Sequence, residues 1–296
     1  MKQDSFHSGV VWTLLSAFGL SLTSLFGKLG FEYFTLSALI FWRFLAAFAF
    51  CLLVSAFLGS LKNKPNISHF KLNFFRAFFT LGAQASFYYY IKTHTLLNGM
   101  VLLNTGPIFI ALIDWGILRR RVGKSSWIGV LVSFVGVLCI LQPDAEIFTV
   151  TSLIGLLSGL CQGISQILFG LSSREENPSS GVLILFFFCA AISSFFYLFT
   201  GATWEAGKGL NNWALLLILL LGLGSTLNQL ARSAAYQRST PSRLSPFLYF
   251  AVPFAGLFDW LIFGSLPNLL SLLGTILVIS GGLLKIYLRK WILQKK

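Results

Sequence analysis

Ile113-Asp114-Trp115, near the end of one apolar run, returns as Phe258-Asp259-Trp260 near the end of another, 145 residues later. The apolar run after each copy keeps the same offset, placing Gly129 and Gly136 against Gly274 and Gly281. Each run also carries a proline just upstream, Pro107 and Pro253, which align with a one-residue gap. Nearer the start, Leu14-Leu15-Ser16 and Leu25-Phe26-Gly27 read onto Leu156-Leu157-Ser158 and Leu168-Phe169-Gly170. The chain is therefore read as a duplication, with a first half over 1–148 and a second over 149–296.

Composition says in what solvent the duplicated unit works. Only 10% of residues are charged and 56% are apolar, with a mean hydropathy of +0.79. A water-soluble domain carries about a quarter charged residues, so the chain is read as an integral membrane protein. Ten apolar stretches follow, roughly Gly9–Gly27, Phe34–Leu58, Leu72–Ile91, Leu96–Leu118, Ser126–Leu141, Thr151–Leu171, Gly181–Thr200, Trp213–Arg232, Leu244–Gly264 and Leu269–Leu288. Most approach the ~20 residues that cross a bilayer as a helix. An all-α fold satisfies every backbone group in lipid. Five stretches per half is an odd number, so the second half enters from the opposite side. The expected fold is ten transmembrane helices in two inverted five-helix repeats, a build characteristic of transporters.

The net charge of +13 raises nucleic acid as a partner, and its distribution removes it. With the N-terminus inside, Lys2, Lys62, Lys64, Lys71, Arg76, Arg119, Arg120, Arg121, Lys124, Arg174, Arg232, Arg238, Arg243 and the cations after Leu284 fall on the cytoplasmic side. The outer side receives only Lys28, Lys92 and Lys208, while Arg43 lies within a stretch. This asymmetry sets both termini in the cytoplasm. The first stretch is long and no Ala-x-Ala site follows it, so it is read as a span and not a cleaved leader.

Catalytic and metal chemistry find no foothold. Cys51, Cys139, Cys161 and Cys189 lie in separate stretches, and His7, His69 and His94 are scattered. No Walker A, HExxH or GxSxG pattern is present. No catalytic residue, metal site or cofactor is expected.

Polar residues on a membrane helix point inward. The eighth stretch has the clearest stripe: Ser225, Asn228, Gln229, Arg232, Ser233 and Tyr236, one face of a 3.6-residue helix. The sixth offers Ser158, Gln162, Ser165 and Gln166, the third Thr80, Gln84, Tyr88 and Lys92. The fourth aligns Asn104, Pro107, Ala111 and Asp114; the ninth aligns Ser245, Tyr249, Gly256 and Trp260. Stretches one, three, four, six, eight and nine are expected to line a central path, with the other four as its rim.

These residues resemble the drug/metabolite transporter superfamily, specifically its ten-helix EamA-type members, over the whole chain. The resemblance is carried by Leu103-Asn104-Thr105-Gly106-Pro107-Ile108-Phe109, by Tyr249-Phe250-Ala251-Val252-Pro253-Phe254, by the glycines that follow each, and by Phe41-Trp42-Arg43-Phe44-Leu45. Members usually have a Gly-Glu pair after the fourth and ninth helices. Here those places read Leu118-Arg119-Arg120 and Gly264-Ser265, so no role of that glutamate carries over. The resemblance implies secondary transport of small organic solutes through a central cavity, and a bacterial inner-membrane location.

The substrate-binding candidates are Gln84, Tyr88, Asn104, Gln162, Gln166, Asn228, Gln229, Arg232, Tyr236, Tyr249 and Arg43. Arg43 is either an anchor for a substrate carboxylate or a hydrogen-bond hub between helices. Arg232 either meets substrate or snorkels to the cytoplasmic face. Asp114 and Asp259, with Pro107 and Pro253, are the gating or coupling candidates, the acids serving as proton carriers, partners of a cationic substrate, gates or interface caps. The expected cargo is an amphipathic metabolite with both charge signs, an amino acid or an amino-acid-like cofactor such as S-adenosylmethionine. A coupling ion or counter-substrate and the surrounding lipid are the other expected partners; the sequence sets no oligomeric state. The alternatives are a nucleotide-sugar or sugar-phosphate exchanger and a multi-helix membrane enzyme acting on lipid.

Overall fold

A computed structural model describes residues 6–57, 67–91, 96–120, 122–143, 150–172, 178–199, 211–264 and 268–294. Lys2, Lys62, Lys64, Lys92, His94, Arg121, Arg174, Lys208, Lys295 and Lys296 lie outside them. The described residues are helical and contain no strand. In chain order the helices are α1 (Phe6–Gly30), α2 (Leu36–Phe57), α3 (Ile67–Ile91), α4 (Leu96–Leu103), α5 (Gly106–Gly116), α6 (Lys124–Leu141), α7 (Ser152–Ser172), α8 (Pro178–Phe199), α9 (Asn212–Arg238), α10 (Pro241–Leu248), α11 (Ala251–Phe263) and α12 (Leu269–Gln294).

Twelve helices arise from ten stretches because the fourth and the ninth are each broken once. The breaks fall at Asn104-Thr105 and Tyr249-Phe250, the same 145-residue offset that separates the Asp-Trp pairs. Proline lacks an N–H and its ring clashes with the carbonyl four residues back. That residue is Leu103 for Pro107 and Tyr249 for Pro253, so each helix stops one turn before its proline. Tighter hydrogen bonds bridge the gaps, Ile108 N to Thr105 O at 2.9 Å and Val252 N to Tyr249 O at 2.9 Å. In the first break, Asn104 Nδ2 and Thr105 Oγ1 donate to Met100 O (2.8 Å) and Leu102 O (2.6 Å), carbonyls that also accept the backbone N–H groups of Asn104 and Thr105, so both polar side chains are satisfied within their own turn. The prolines do more than bend these spans.

Among the described residues, eight segments are long and apolar enough to cross a membrane. The more polar α3, with 25 residues, and α12, whose apolar part is Leu269–Gly281, complete ten spans. Exposure is reversed relative to a soluble protein: Phe57 is 89% and Leu261 66% exposed, whereas Arg76 and Asp114 are at 1% and 0%. Solvent for this surface is hydrocarbon.

Contacts divide the chain into two units that cut across the sequence repeat: Met1–Leu81 with Leu168–Arg238, and Gly82–Ile167 with Ser239–Lys296. In the first unit α1 runs antiparallel along α9. A methyl group at Gly19 would fall 2.8 Å from the Asn228 backbone nitrogen, so glycine there sets the close approach of the two helices. Thr23 meets Gly224 in the same groove, and Arg238 reaches over the Trp12 ring, 5.5 Å from its centroid. On the other side of α9, Phe34, Ala38, Leu39 and Ala46 pack against Ala214, Ile218 and Leu221.

In the second unit α6 crosses α12 antiparallel at their glycines. A methyl group at Gly136 would sit 2.6 Å from the Gly274 carbonyl oxygen, and one at Gly274 equally close to that of Gly136. A methyl group at Gly281 would likewise fall 2.8 Å from the Gly129 carbonyl oxygen. Because α6 and α12 are equivalent helices of the two halves, their opposed directions are those of inverted repeats. Val101, Val130, Val137, Leu141, Tyr249, Val252 and Val278 close the apolar centre of this unit.

Candidate functional site

The polar stripe of α9 is the centre of the first unit, and side chains from α1, α2 and α3 converge on it. Arg43 of α2 donates through Nε to Ser225 Oγ at 3.0 Å. One turn on, Gln229 Oε1 accepts from Arg76 Nη2 of α3 at 2.7 Å. Arg232 donates through Nε to Ser16 Oγ of α1 at 2.9 Å, and Ser16 passes its own hydroxyl hydrogen to Asn228 Oδ1 at 3.4 Å. Ser225, Gln229, Arg232 and Tyr236 occupy one face of α9, spread over about 16 Å at 1.5 Å per residue. Asn228 and Arg232 are buried, as is Ser16.

Aromatic rings floor this cluster. The Arg76 guanidinium lies over the Phe169 ring, 3.2 Å from its centroid. Phe169 in turn meets Tyr236 edge to face with centroids 5.4 Å apart. A guanidinium on a ring face, shielded from water, gains from the ring quadrupole and keeps its N–H edge for polar partners.

The charge of Arg76 assigns it to the cytoplasmic side, and its burial is what the charge does not predict: it is among the most buried of the described side chains, at 1% exposure. The apolar reading began α3 at Leu72, whereas the helix starts at Ile67, which moves Arg76 more than two turns inside. Its spacing was the missed signal, since Arg76, Thr80 and Gln84 repeat every fourth residue and extend the expected α3 stripe backwards. The α9 helix likewise runs on past Arg232 to Arg238, ended by Pro241 after an extended Thr240. Arg43, from a helix expected at the rim, joins the α9 stripe as a hydrogen-bond partner.

The other expected residues belong to the second unit. In the second unit Asn104 turns to its own backbone at the α4–α5 break. Gln162 of α7 packs on Gly106, and Gln166 is buried while Gln84 is half-buried. Tyr249 sits in the apolar centre, its ring 6.2 Å from that of Phe134, and its buried hydroxyl has no hydrogen-bond partner among the described residues. Asp114 is buried at the end of α5, with Oδ1 3.4 Å from Arg120 Nη1 and Oδ2 without a described partner. Pro107 is buried in α5, Pro253 half-buried in α11. Tyr88 lies on α3 and Asp259 on α11, with side chains outside the described residues. Among the described residues no group of His, Cys, Asp or Glu is arranged to hold a metal ion.

Ten spans, matched helix breaks in two of them and a buried polar stripe define a multi-pass membrane protein of the transporter class. The chain belongs to the EamA-like transporter family, which matches residues 7–142 and again 149–287. A riboflavin transporter of Vibrio cholerae is 29% identical over 57% of this chain and 55% of its own length, so the match spans about half of that relative. A riboflavin transporter of Brucella anthropi is 26% identical over 73% of the chain and 76% of its own. An S-adenosylmethionine uptake transporter of Rickettsia bellii is 22% identical over 99% of the chain and 98% of its own. A solved protein structure shares the fold with a TM-score of 0.77 at 14% identity, covering 97% of this chain and 99% of that one. The chain is thus a multi-pass membrane protein of the drug/metabolite transporter superfamily, and these relatives are by name carriers of small molecules.

Proposed function

We propose that the protein is a secondary carrier of the bacterial inner membrane, with both termini cytoplasmic, that works by alternating access. The halves 1–148 and 149–296 exchange roles in that cycle. The observation that carries this reading is the pair of helix breaks 145 residues apart. Each is a built hinge at the same place in its half, and two equivalent hinges in opposite orientation are what opening to either side in turn requires.

The proposed cargo is an amino acid or amino-acid-like cofactor, S-adenosylmethionine included. Support comes from the arginines on the α9 stripe, which suit a carboxylate, and from Phe169 and Tyr236, which suit a planar or cationic portion. The S-adenosylmethionine relative aligns along nearly the whole chain. Asp114, bonded to Arg120, fits a gate better than a seat for a substrate ammonium.

Arg76 favours a second reading. A nucleotide-sugar or sugar-phosphate exchanger needs several deep cations, and burial of Arg76 adds one that the sequence had left at the surface. Counterflow in proteoliposomes separates the two. Saturable accumulation of labelled amino acids or S-adenosylmethionine is expected; accumulation of sugar phosphates or nucleotide sugars alone supports the exchanger. No accumulation across the panel by folded protein overturns the carrier.

A further inference from the structure

We infer that Asn228, Gln229 and Arg232 form a binding site for a forked oxyanion, the carboxylate or phosphate group of the transported solute. The inference rests on the carrier reading for its ligand, but on local hydrogen-bond logic for its place. An arginine is donor only, so Gln229 must turn Oε1 towards Arg76, which directs its Nε2 amide away. Ser16 receives a hydrogen from Arg232 Nε and gives its own to Asn228 Oδ1, which directs Asn228 Nδ2 away as well. Nε of Arg232 is taken by Ser16, and its two Nη nitrogens have no acceptor among the described residues. Three successive groups on α9 are thus held by their neighbours with donors outward, and no described acceptor answers them.

Asn228 and Arg232 are 4% and 3% exposed, and open donors at that depth in a membrane span, a guanidinium above all, call for an acceptor. The helices that supply the cluster, α1, α2, α3 and α9, contain no Asp or Glu. A bound oxyanion supplies both the missing acceptors and the counter-charge. Gln229 and Arg232 are three residues apart, about 4.5 Å along the axis, a separation that the two oxygens of one carboxylate or phosphate can address together. Phe169, under Arg76 and beside Tyr236, then offers a ring face to the uncharged part of the solute.

The test uses probe pairs that differ in their anionic group: riboflavin 5′-phosphate against riboflavin, and S-adenosylmethionine against its decarboxylated form. Binding is read as a shift of the unfolding midpoint of the purified full-length protein, and transport as counterflow. Wild type is expected to bind the anionic member of at least one pair about tenfold more tightly, the phosphate or carboxylate arm naming the source. Arg232→Gln is expected to abolish that preference. Gln229→Glu keeps size and shape but places a carboxylate inside the cluster. It is expected to bind both members of the pair alike, whereas a glutamine that only held Arg76 would leave the preference intact on replacement by a glutamate paired with that guanidinium.

Equal binding of both members by wild type, no shift with any anionic probe, or a preference surviving in Gln229→Glu would overturn the inference. Counterflow failing while the anionic probe still shifts the midpoint would sink the carrier and leave the site. Counterflow without charge preference would do the reverse.

Discussion

Ser133 donates its hydroxyl to the carbonyl oxygen of Val278 at 3.3 Å, and Val278 stands 145 positions after Ser133. A contact between two equivalent positions maps onto itself under the internal symmetry. Its neighbours map onto each other: Gly136 against Gly274 becomes Gly281 against Gly129 when 145 is added to the first member and subtracted from the second. The local two-fold axis therefore passes through the crossing of α6 and α12, between Ser133 and Val278.

Side chains at this crossing are expected to be penalised in matched pairs. Gly136→Val and Gly274→Val each force a branched carbon onto the other helix's carbonyl, and each should cost about 2–3 kcal/mol. Ser133→Ala should cost only about 0.6 kcal/mol, typical of one hydrogen bond between membrane helices. Unfolding midpoints in a common detergent check the ranking; a glycine variant as stable as Ser133→Ala would show that the helices do not approach so closely.

The Asp114–Arg120 pair should respond unequally to removal of its two members. Arg120 is partly exposed at 38%, Asp114 buried at 0%. Asp114→Asn leaves an arginine that water can reach, at a cost of about 1 kcal/mol. Arg120→Ala leaves a buried carboxylate with its near cation gone, at about 2–3 kcal/mol. Equal losses in thermal stability would mean that the carboxylate is solvated.

Tyr249→Phe separates packing from binding at a residue expected in the site. The hydroxyl is buried among valines without a described partner, so its removal should leave stability unchanged or raise it by up to about 1 kcal/mol. A fall in substrate affinity in this variant, with stability kept, would place Tyr249 in contact with cargo after all.

Pro107→Ala and Pro253→Ala test the breaks as hinges. Alanine restores an N–H and removes the clash with Leu103 or Tyr249, allowing continuous helix. Turnover should fall several-fold while the affinity measured by midpoint shift changes little. Unchanged turnover in the double variant would argue against hinge motion at these positions.

Much of the fold could be read from residue order alone, because hydrocarbon imposes a length and a polarity on every span, and Asp114-Trp115 and Asp259-Trp260 announced the repeat. The α9 stripe was equally legible, since Ser225, Asn228, Gln229 and Arg232 follow the helical period among leucines. Arg76 was not, because an arginine near the end of an apolar window has the same signature whether it faces lipid headgroups or a buried glutamine. Only its partners, Gln229 and Phe169 on helices far along the chain, decide. The breaks at Asn104-Thr105 and Tyr249-Phe250 were visible only as prolines, whose effect is felt one turn upstream of where they stand.

The pairing of α1 with α9 sets a schedule for synthesis. The groove that receives Gly19 and the acceptor Ser16 are made early, while Asn228 and Arg232 leave the ribosome about 200 residues later, roughly 10–40 s at 5–20 residues per second. Until then the polar face of α1, with Ser16 and Thr23, must be sheltered by the insertion machinery or by transient partners. Nascent chains stalled before Asn212 should therefore be prone to quality-control proteolysis, and those stalled beyond Arg238 should not.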